Sequence, residues 1–274
     1  MAGRKKCLVR ILGPHEITAK DLFSAQSKVY ASSRPTYPRA LFEFIVSLTD
    51  EKKLAWDCAT GNGQAAVVLA DYFDQVVASD ISAKQLGNAQ QRTNIRYENF
   101  PAEQPVLEDD SVDLITVAQA IHWFDFQRFY GEAKRVLKKK RQGKAGAVMA
   151  TWAYGIHTIS PEIDKITYHL YEEILGDKYW PVERKYVEAK YETIPFPFEP
   201  IQCPQFNLQL EWNLPELLDY FRSWSSVQKF IDENNYSPLD EIRESLESAW
   251  GGNGRARDKK NVTFPLYVKI GRES

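Results

Sequence analysis

The 274-residue sequence predicts an α/β fold, a mostly parallel sheet followed by a helical cap. Three observations carry this. Between residues 54 and 153 short apolar runs alternate with amphipathic segments, the pattern of strand–helix–strand units. After 153 the alternation gives way to helical periodicity with aromatic faces. Strand character returns only at 206–212 and 262–270, on either side of a helical stretch, so the sheet is completed late.

Taken in order, the strands are expected at 54–58, 75–80, 95–99, 112–117 and 145–152. Ala65, Ala66, Leu69, Ala70 and Phe73 make the apolar stripe of one intervening helix, and Phe126, Phe129, Tyr130, Ala133 and Leu137 that of another. Both stripes should face the sheet. Helix starts in the cap are signalled at Asn213-Leu214-Pro215, at 223–226 and at Ser237-Pro238. The division that follows is an N-terminal extension over 1–22, a core over 23–153, and a cap with the final strands over 154–274.

Composition excludes several classes. Lys plus Arg is 35 against 37 for Asp plus Glu, a formal charge of −2, so no broad positive field calls for nucleic acid. Lys138-Lys139-Lys140-Arg141 is read as the solvated end of the preceding helix, since no aromatic residues interleave it. Cys7, Cys58 and Cys203 form no paired motif, which fits a reducing compartment and no metal site. No run is long and apolar enough to span a membrane. His15, His157 and His169 have no partner spacing and are read as surface or packing residues.

The segment Asp57-Cys58-Ala59-Thr60-Gly61-Asn62-Gly63-Gln64 is a strand running through a glycine turn into a helix. Gly61 and Gly63 let the backbone approach a ligand and take positive φ, while the helix start offers free N–H groups. Asp80 ends the next strand, where a carboxylate can accept both hydroxyls of a ribose. Together they specify a nucleoside-bearing cofactor. Gly61 to Ala66 also satisfies a dinucleotide fingerprint, so an NAD-dependent Rossmann oxidoreductase is the rival on spacing. The strings Tyr130 to Lys134 and Tyr186 to Lys190 could be promoted to its dyad, although Tyr130 is read as packing and Lys134 as solvated. A non-catalytic cofactor-binding regulatory protein is the second rival.

At these residues the sequence resembles the class I S-adenosylmethionine-dependent methyltransferases, in the broad group containing the ubiquinone-biosynthesis and trans-aconitate methyltransferases. The family's D-x-G-x-G-x-G loop stands here as Asp57 to Gly63, with Ala59 in place of the first glycine. Four further stretches agree in order: Tyr30-Ala31-Ser32-Ser33-Arg34-Pro35-Thr36-Tyr37-Pro38, Asp80-Ile81-Ser82, Pro101-Ala102-Glu103, and Ser111-Val112-Asp113-Leu114 leading to Ala118-Gln119-Ala120-Ile121-His122-Trp123-Phe124.

The resemblance implies a Rossmann-like, mostly parallel seven-stranded sheet with a late antiparallel strand and a helical lid. It also implies S-adenosylmethionine as cofactor, with 23–153 as the cofactor-binding core. Asp57, Ala59, Gly61, Gly63 and Gln64 would form the loop, Asp80 would meet the ribose, Ile81 the adenine face, Ala102 and Glu103 its edge, and Ala118 and Gln119 the next strand's rim. Arg34, beside Tyr30, would suit the methionine carboxylate through a forked ion pair. For Tyr37 and Pro38 a hydrophobic staple is the alternative. His122 and Trp123 stand past the fourth strand, where His122 would serve the acceptor as a base or as a positioning group. Trp152, Tyr154 and the 220–225 stretch are candidates to touch the acceptor. By resemblance the acceptor is a small molecule, with a carboxylate or hydroxyl oxygen leading, and the enzyme a cytoplasmic monomer or homodimer.

Overall fold

The computed structural model describes residues 35–252 and 254–273. Tyr30, Arg34, Cys7, His15 and the 1–22 extension lie outside the described residues. The chain enters through α1 (Arg39–Ser47), then alternates β1 (Leu54–Cys58), α2 (Gln64–Leu69), β2 (Gln75–Ser79), α3 (Ala83–Gly87), β3 (Ile95–Glu98), β4 (Leu114–Ala118), α4 (Phe126–Val136) and β5 (Val148–Tyr154). These five strands pair in parallel in the order β3-β2-β1-β4-β5. The expected strands are all present, with ends displaced by a few residues.

The strands are apolar on both faces because both faces are covered. Ala55, Val76, Ala78, Leu114, Val148 and Ala150 point into one buried cluster with α1 and α2. Trp56, Val77, Ile115, Val117 and Met149 point into another with α4. That period of two is the pleat of a strand. The helix stripes face the sheet as expected: Ala65, Ala66 and Leu69 of α2 are buried, as are Phe129, Tyr130, Ala133 and Val136 of α4.

Beyond β5 come α5 (Pro161–Tyr168), a π-helical continuation (His169–Leu175), α6 (Gly176–Tyr179), α7 (Arg184–Glu188), β6 (Glu199–Pro200), β7 (Asn207–Trp212), α8 (Leu214–Arg222), α9 (Ser225–Asn234), α10 (Leu239–Trp250) and β8 (Lys260–Arg272). All three signalled helix starts are found. The Asn213 side chain accepts from Glu216 N–H at 3.0 Å while Glu216 accepts from Asn213 N–H at 2.7 Å, a reciprocal cap that fixes the start of α8.

β8 serves two partners in succession. Residues 260–265 pair antiparallel with β7, and residues 266–272 pair antiparallel with β5. The two-residue β6 adds to its far end. Seven strands thus lie along one path, including the late antiparallel strand, and β7 hangs from the first half of β8.

The basic tract differs from expectation. α4 ends at Val136, and three of the four cations meet carboxylates: Lys138 with Asp113 at 2.5 Å and Glu51 at 3.0 Å, Lys139 with Glu273 at 2.8 Å, and Arg141 with Asp110. Acidic side chains preceding β1 and β4 converge there, which no local pattern reveals. Among the described residues, no helix is long and apolar enough to cross a membrane, and no cluster of metal-ligating side chains is present.

Candidate active site

Strand order reverses between β1 and β4, so the connections leaving their carboxyl ends diverge and open a crevice. The glycine turn fills one side. Ala59, Gly61 and Gly63 have φ of 55°, 58° and 85°. Gly63 caps α2 and packs so tightly that a Cβ there would lie 2.5 Å from the Tyr97 hydroxyl. Ala59 holds the same left-handed region that a glycine takes without penalty, the physical meaning of the missing first glycine.

The turn is tied from both ends. Asp57 is buried, and its carboxylate accepts from the hydroxyls of Thr60 and of Thr116, the latter at 2.7 Å. Burial raises its pKa to about 6, although those hydroxyls pull the other way. Asp80 accepts Gly61 N–H at 2.9 Å and Ser82 N–H at 2.8 Å, one on each oxygen. Burial also raises its pKa, against the pull of those backbone donors. Each oxygen retains a lone pair.

Two adjoining cavities stand over this rim. The first, of about 240 Å³, is lined by Ala59, Gly61, Gln64, Asp80, Ile81, Ala102, Glu103, Ala118, Gln119 and Trp123 among the residues singled out from sequence. Pro35, Tyr37, Asn62, Phe100 and Phe124 complete much of its wall and had not been assigned a role, Tyr37 aside. Asp57 and Gly63 do not line it. Asp57 is turned inward to hold Thr60 and Thr116, and Gly63 is covered by Tyr97, so both shape the turn from behind. Asp80 and Glu103 give this cavity an acidic lining, and no cationic side chain lines it among the described residues. Glu103 also accepts Asp125 N–H at 3.0 Å, which ties the β3 exit to the start of α4.

The second cavity, of about 110 Å³, shares Gln119, Trp123 and Tyr154 with the first. Its other walls are His122, the turn Gly155-Ile156, Trp180, Pro181, Arg184 and Val187 from around α7, and Tyr220, Trp224 and Ser225 from the α8–α9 junction. Gln119 holds φ at 58° and its N–H bonds Trp152 carbonyl at 2.8 Å, a strained position shared by both chambers. His122 opens on this cavity rather than the first. Its Nδ1 lies 2.7 Å from the Tyr191 hydroxyl. Burial, with the nearby Arg184 charge adding, lowers its pKa to about 4. The Arg184 guanidinium lies 3.8 Å from the Trp180 ring centre and 4.1 Å from that of Tyr171.

Tyr154 and the 220–225 stretch reach the second cavity as expected, whereas Trp152 does not. It is fully buried one pleat below the rim, with Tyr37 and Phe42 edge-on at 5.4 and 5.7 Å. Arg184 and Tyr191 were not foreseen. Tyr191 lies far from His122 in sequence, and the available signal was the spacing of Trp180 and Arg184, one helical turn apart. Neither Tyr-x-x-x-Lys string lines either cavity; the Tyr130 hydroxyl is occupied with Pro195 carbonyl on the other face of the sheet. His157 packs among Tyr220, Phe221 and Phe264, as a packing residue should.

A Rossmann-like sheet with a two-chambered crevice at its switch point defines the class, an α/β enzyme fold with room for a cofactor beside a second small molecule. Comparison with known proteins narrows it. The methyltransferase-domain family matches residues 56–142. A Dictyostelium discoideum protein named as a methyltransferase is 37% identical over 92% of this chain and 95% of its own length. A Saccharomyces cerevisiae protein named as an S-adenosylmethionine-dependent methyltransferase is 30% identical over 50% of this chain and 47% of its own. The solved structure of an Anaeromyxobacter dehalogenans protein named as a type II methyltransferase superposes with a TM-score of 0.78 at 36% identity, covering 87% of this chain and 97% of that one. The chain belongs to the class I S-adenosylmethionine-dependent methyltransferases.

Proposed function

We propose that the first cavity holds S-adenosylmethionine and that its methyl group passes to a small-molecule acceptor in the second, with a carboxylate or hydroxyl oxygen as the receiving atom. The observation that carries this reading is the junction itself: two chambers meeting at Gln119, Trp123 and Tyr154 allow a donor and an acceptor to face each other. The residues present fit the cofactor. Asp80 keeps one acceptor position on each oxygen for a ribose diol, Ile81 with Phe100 and Ala102 offers an apolar slot for a purine, and Glu103 stands at that slot's edge. Two carboxylates and no cation in the described lining suit a sulfonium charge. In this reading Arg34 and Tyr30 serve the methionine end.

When bound, the cofactor supplies an electrophilic methyl carbon. The chain's own contribution is to hold the two reactants in line and to exclude water with Trp123, Tyr154, Trp180 and Trp224. Residues 23–153 would then act as the cofactor-binding core and 154–274 as lid and closing strands, in a cytoplasmic monomer or homodimer. Calorimetry with S-adenosylhomocysteine and NAD tests the cofactor. Micromolar-range binding of the first and little of the second is expected. Asp80→Ala removes two charge-assisted bonds worth about 1.5–3 kcal/mol each and should lower affinity at least about tenfold. Equal binding by wild type and variant would sink the ribose assignment.

A further inference from the structure

The second cavity has an electrostatic character that names its ligand class. Arg184 is the one formally charged side chain in its lining among the described residues, set in a wall that is otherwise aromatic, aliphatic or neutral. Its position is fixed: the guanidinium is stacked on Trp180, and Nε donates to the Tyr171 hydroxyl. Glu188 lies 3.7 Å from Nε and is half exposed, so its compensation is screened by water. The held Nε edge leaves the terminal Nη pair as the fork that suits a carboxylate.

The histidine completes the site. Tyr191 is fully buried, and among the described residues its hydroxyl has His122 Nδ1 as partner. If Nδ1 carried the proton, the phenol hydrogen would be left buried and unsatisfied, at a cost of about 1–3 kcal/mol. Tyr191 therefore donates to Nδ1, and His122 carries its proton on Nε2. The ring that lines the cavity is a neutral N–H donor and has no proton vacancy on its open side. The depressed pKa agrees, because such a ring does not take up a proton near neutral pH.

We propose that the acceptor is a small carboxylate with an apolar body, its charge met by Arg184 and one oxygen steadied by His122 Nε2–H, with Tyr191 as the positioning residue that sets the tautomer. This deepens the methyltransferase reading and rests on it. The carboxylate oxygen forms a bond to the methyl carbon as the carbon–sulfur bond breaks, and the bonding pair stays on sulfur. Sulfonium becomes thioether, carboxylate becomes neutral ester, and no proton has to leave, which is why a histidine that cannot act as a base suffices. The ester no longer pairs with Arg184, so transfer itself loosens the product.

The test uses the full chain with benzoate, cinnamate and hexanoate as probes, each beside its primary amide, with and without saturating S-adenosylhomocysteine. At least one acid should bind ten times more tightly than its amide. Arg184→Gln should abolish that preference and Arg184→Lys keep part of it, with S-adenosylhomocysteine affinity unchanged in both. Acid and amide binding alike, or neither binding, while S-adenosylhomocysteine binds normally overturns the proposal. Preference for acids in a chain that ignores S-adenosylhomocysteine supports the anion site and overturns the methyltransferase reading instead. A preferred acid incubated with S-adenosylmethionine should give its methyl ester, and a bound acid that gives none refutes the transfer step. Long-range nitrogen–proton NMR correlations of the His122 ring should place the proton on Nε2 in wild type and show tautomer exchange in Tyr191→Phe; a proton on Nδ1 in wild type refutes the tautomer assignment.

Discussion

The turn beneath the first cavity and the wall around the second are built from opposite materials. Asp57 to Gln64 is one continuous stretch, held by its own backbone and by carboxylates at the ends of neighbouring strands. The second cavity is assembled from side chains of four separated segments that meet only after the cap has folded. Their buried ionisable groups differ in kind as well. Carboxylates lie under the first, Asp57 and Asp80, whereas two histidines, His122 and His157, lie in and behind the second. A site built on backbone tolerates acid; a site built on buried imidazoles does not.

Acid is accordingly the strongest way to separate the two regions. Burial lowers His122 to about 4 and His157 to about 3, below the ordinary histidine value of 6.5. Their stabilising contribution is present above pH 6.5 and drains away as pH falls toward those values, at about 1.4 kcal/mol per pH unit for each. Asp57 runs the other way. With a pKa raised to about 6 from 3.8, its contribution is full below 3.8 and is lost as pH rises through 6. Hydrogen exchange at pH 7 and pH 5 should therefore show α8 and the rest of the His157 cage opening before β1 and β2. His157→Leu, which replaces a ring with no hydrogen-bond partner on either nitrogen, should flatten the acid limb of the stability curve. Equal opening of both regions would erase the contrast.

A smaller effect probes the backbone site directly. Gly63→Ala adds a Cβ against the Tyr97 hydroxyl at a φ of 85° and should cost about 1–3 kcal/mol in urea unfolding. Tyr97→Phe removes the nearest atom, so the double variant should recover part of that loss. Strict additivity of the two changes would mean that the turn relaxes away from Tyr97. The smallest effect has the opposite sign: Ala59→Gly relieves a left-handed alanine and should raise stability by about 0.5–1 kcal/mol. An unchanged or lower urea midpoint would show that Ala59 is not strained.

The same contrast explains what could be read in advance. The five parallel strands, the glycine turn and Asp80 are local in sequence, set by apolar runs and by residues that tolerate positive φ. Two assignments there moved because a motif gives position along the chain and not the direction of a side chain. Asp57 faces the strand behind the turn, and Gly63 faces Tyr97. In the cap the helix starts were legible from Pro and Asn, while the Tyr191–His122 bond and the stacking of Arg184 were not. Those depend on how α7 docks on β4's exit, a tertiary outcome that no spacing encodes. Trp152 was misplaced by depth along a strand, since it ends one pleat short of the opening that Tyr154 reaches.

The double duty of β8 has a consequence for how the chain is made. β5 leaves the ribosome with its outer edge bare, and the segment that covers it, 266–272, follows only after the whole of 155–259. At about 5–20 residues per second that interval lasts about 5–20 s. Throughout it an apolar strand with unpaired N–H and C=O groups is exposed to any extended segment nearby, a recognised seed for aggregation. β7 waits over the same period for residues 260–265. The cell thus makes the cap before the hinge that fastens it, and the newborn chain is most vulnerable to aggregation just before its last strand arrives.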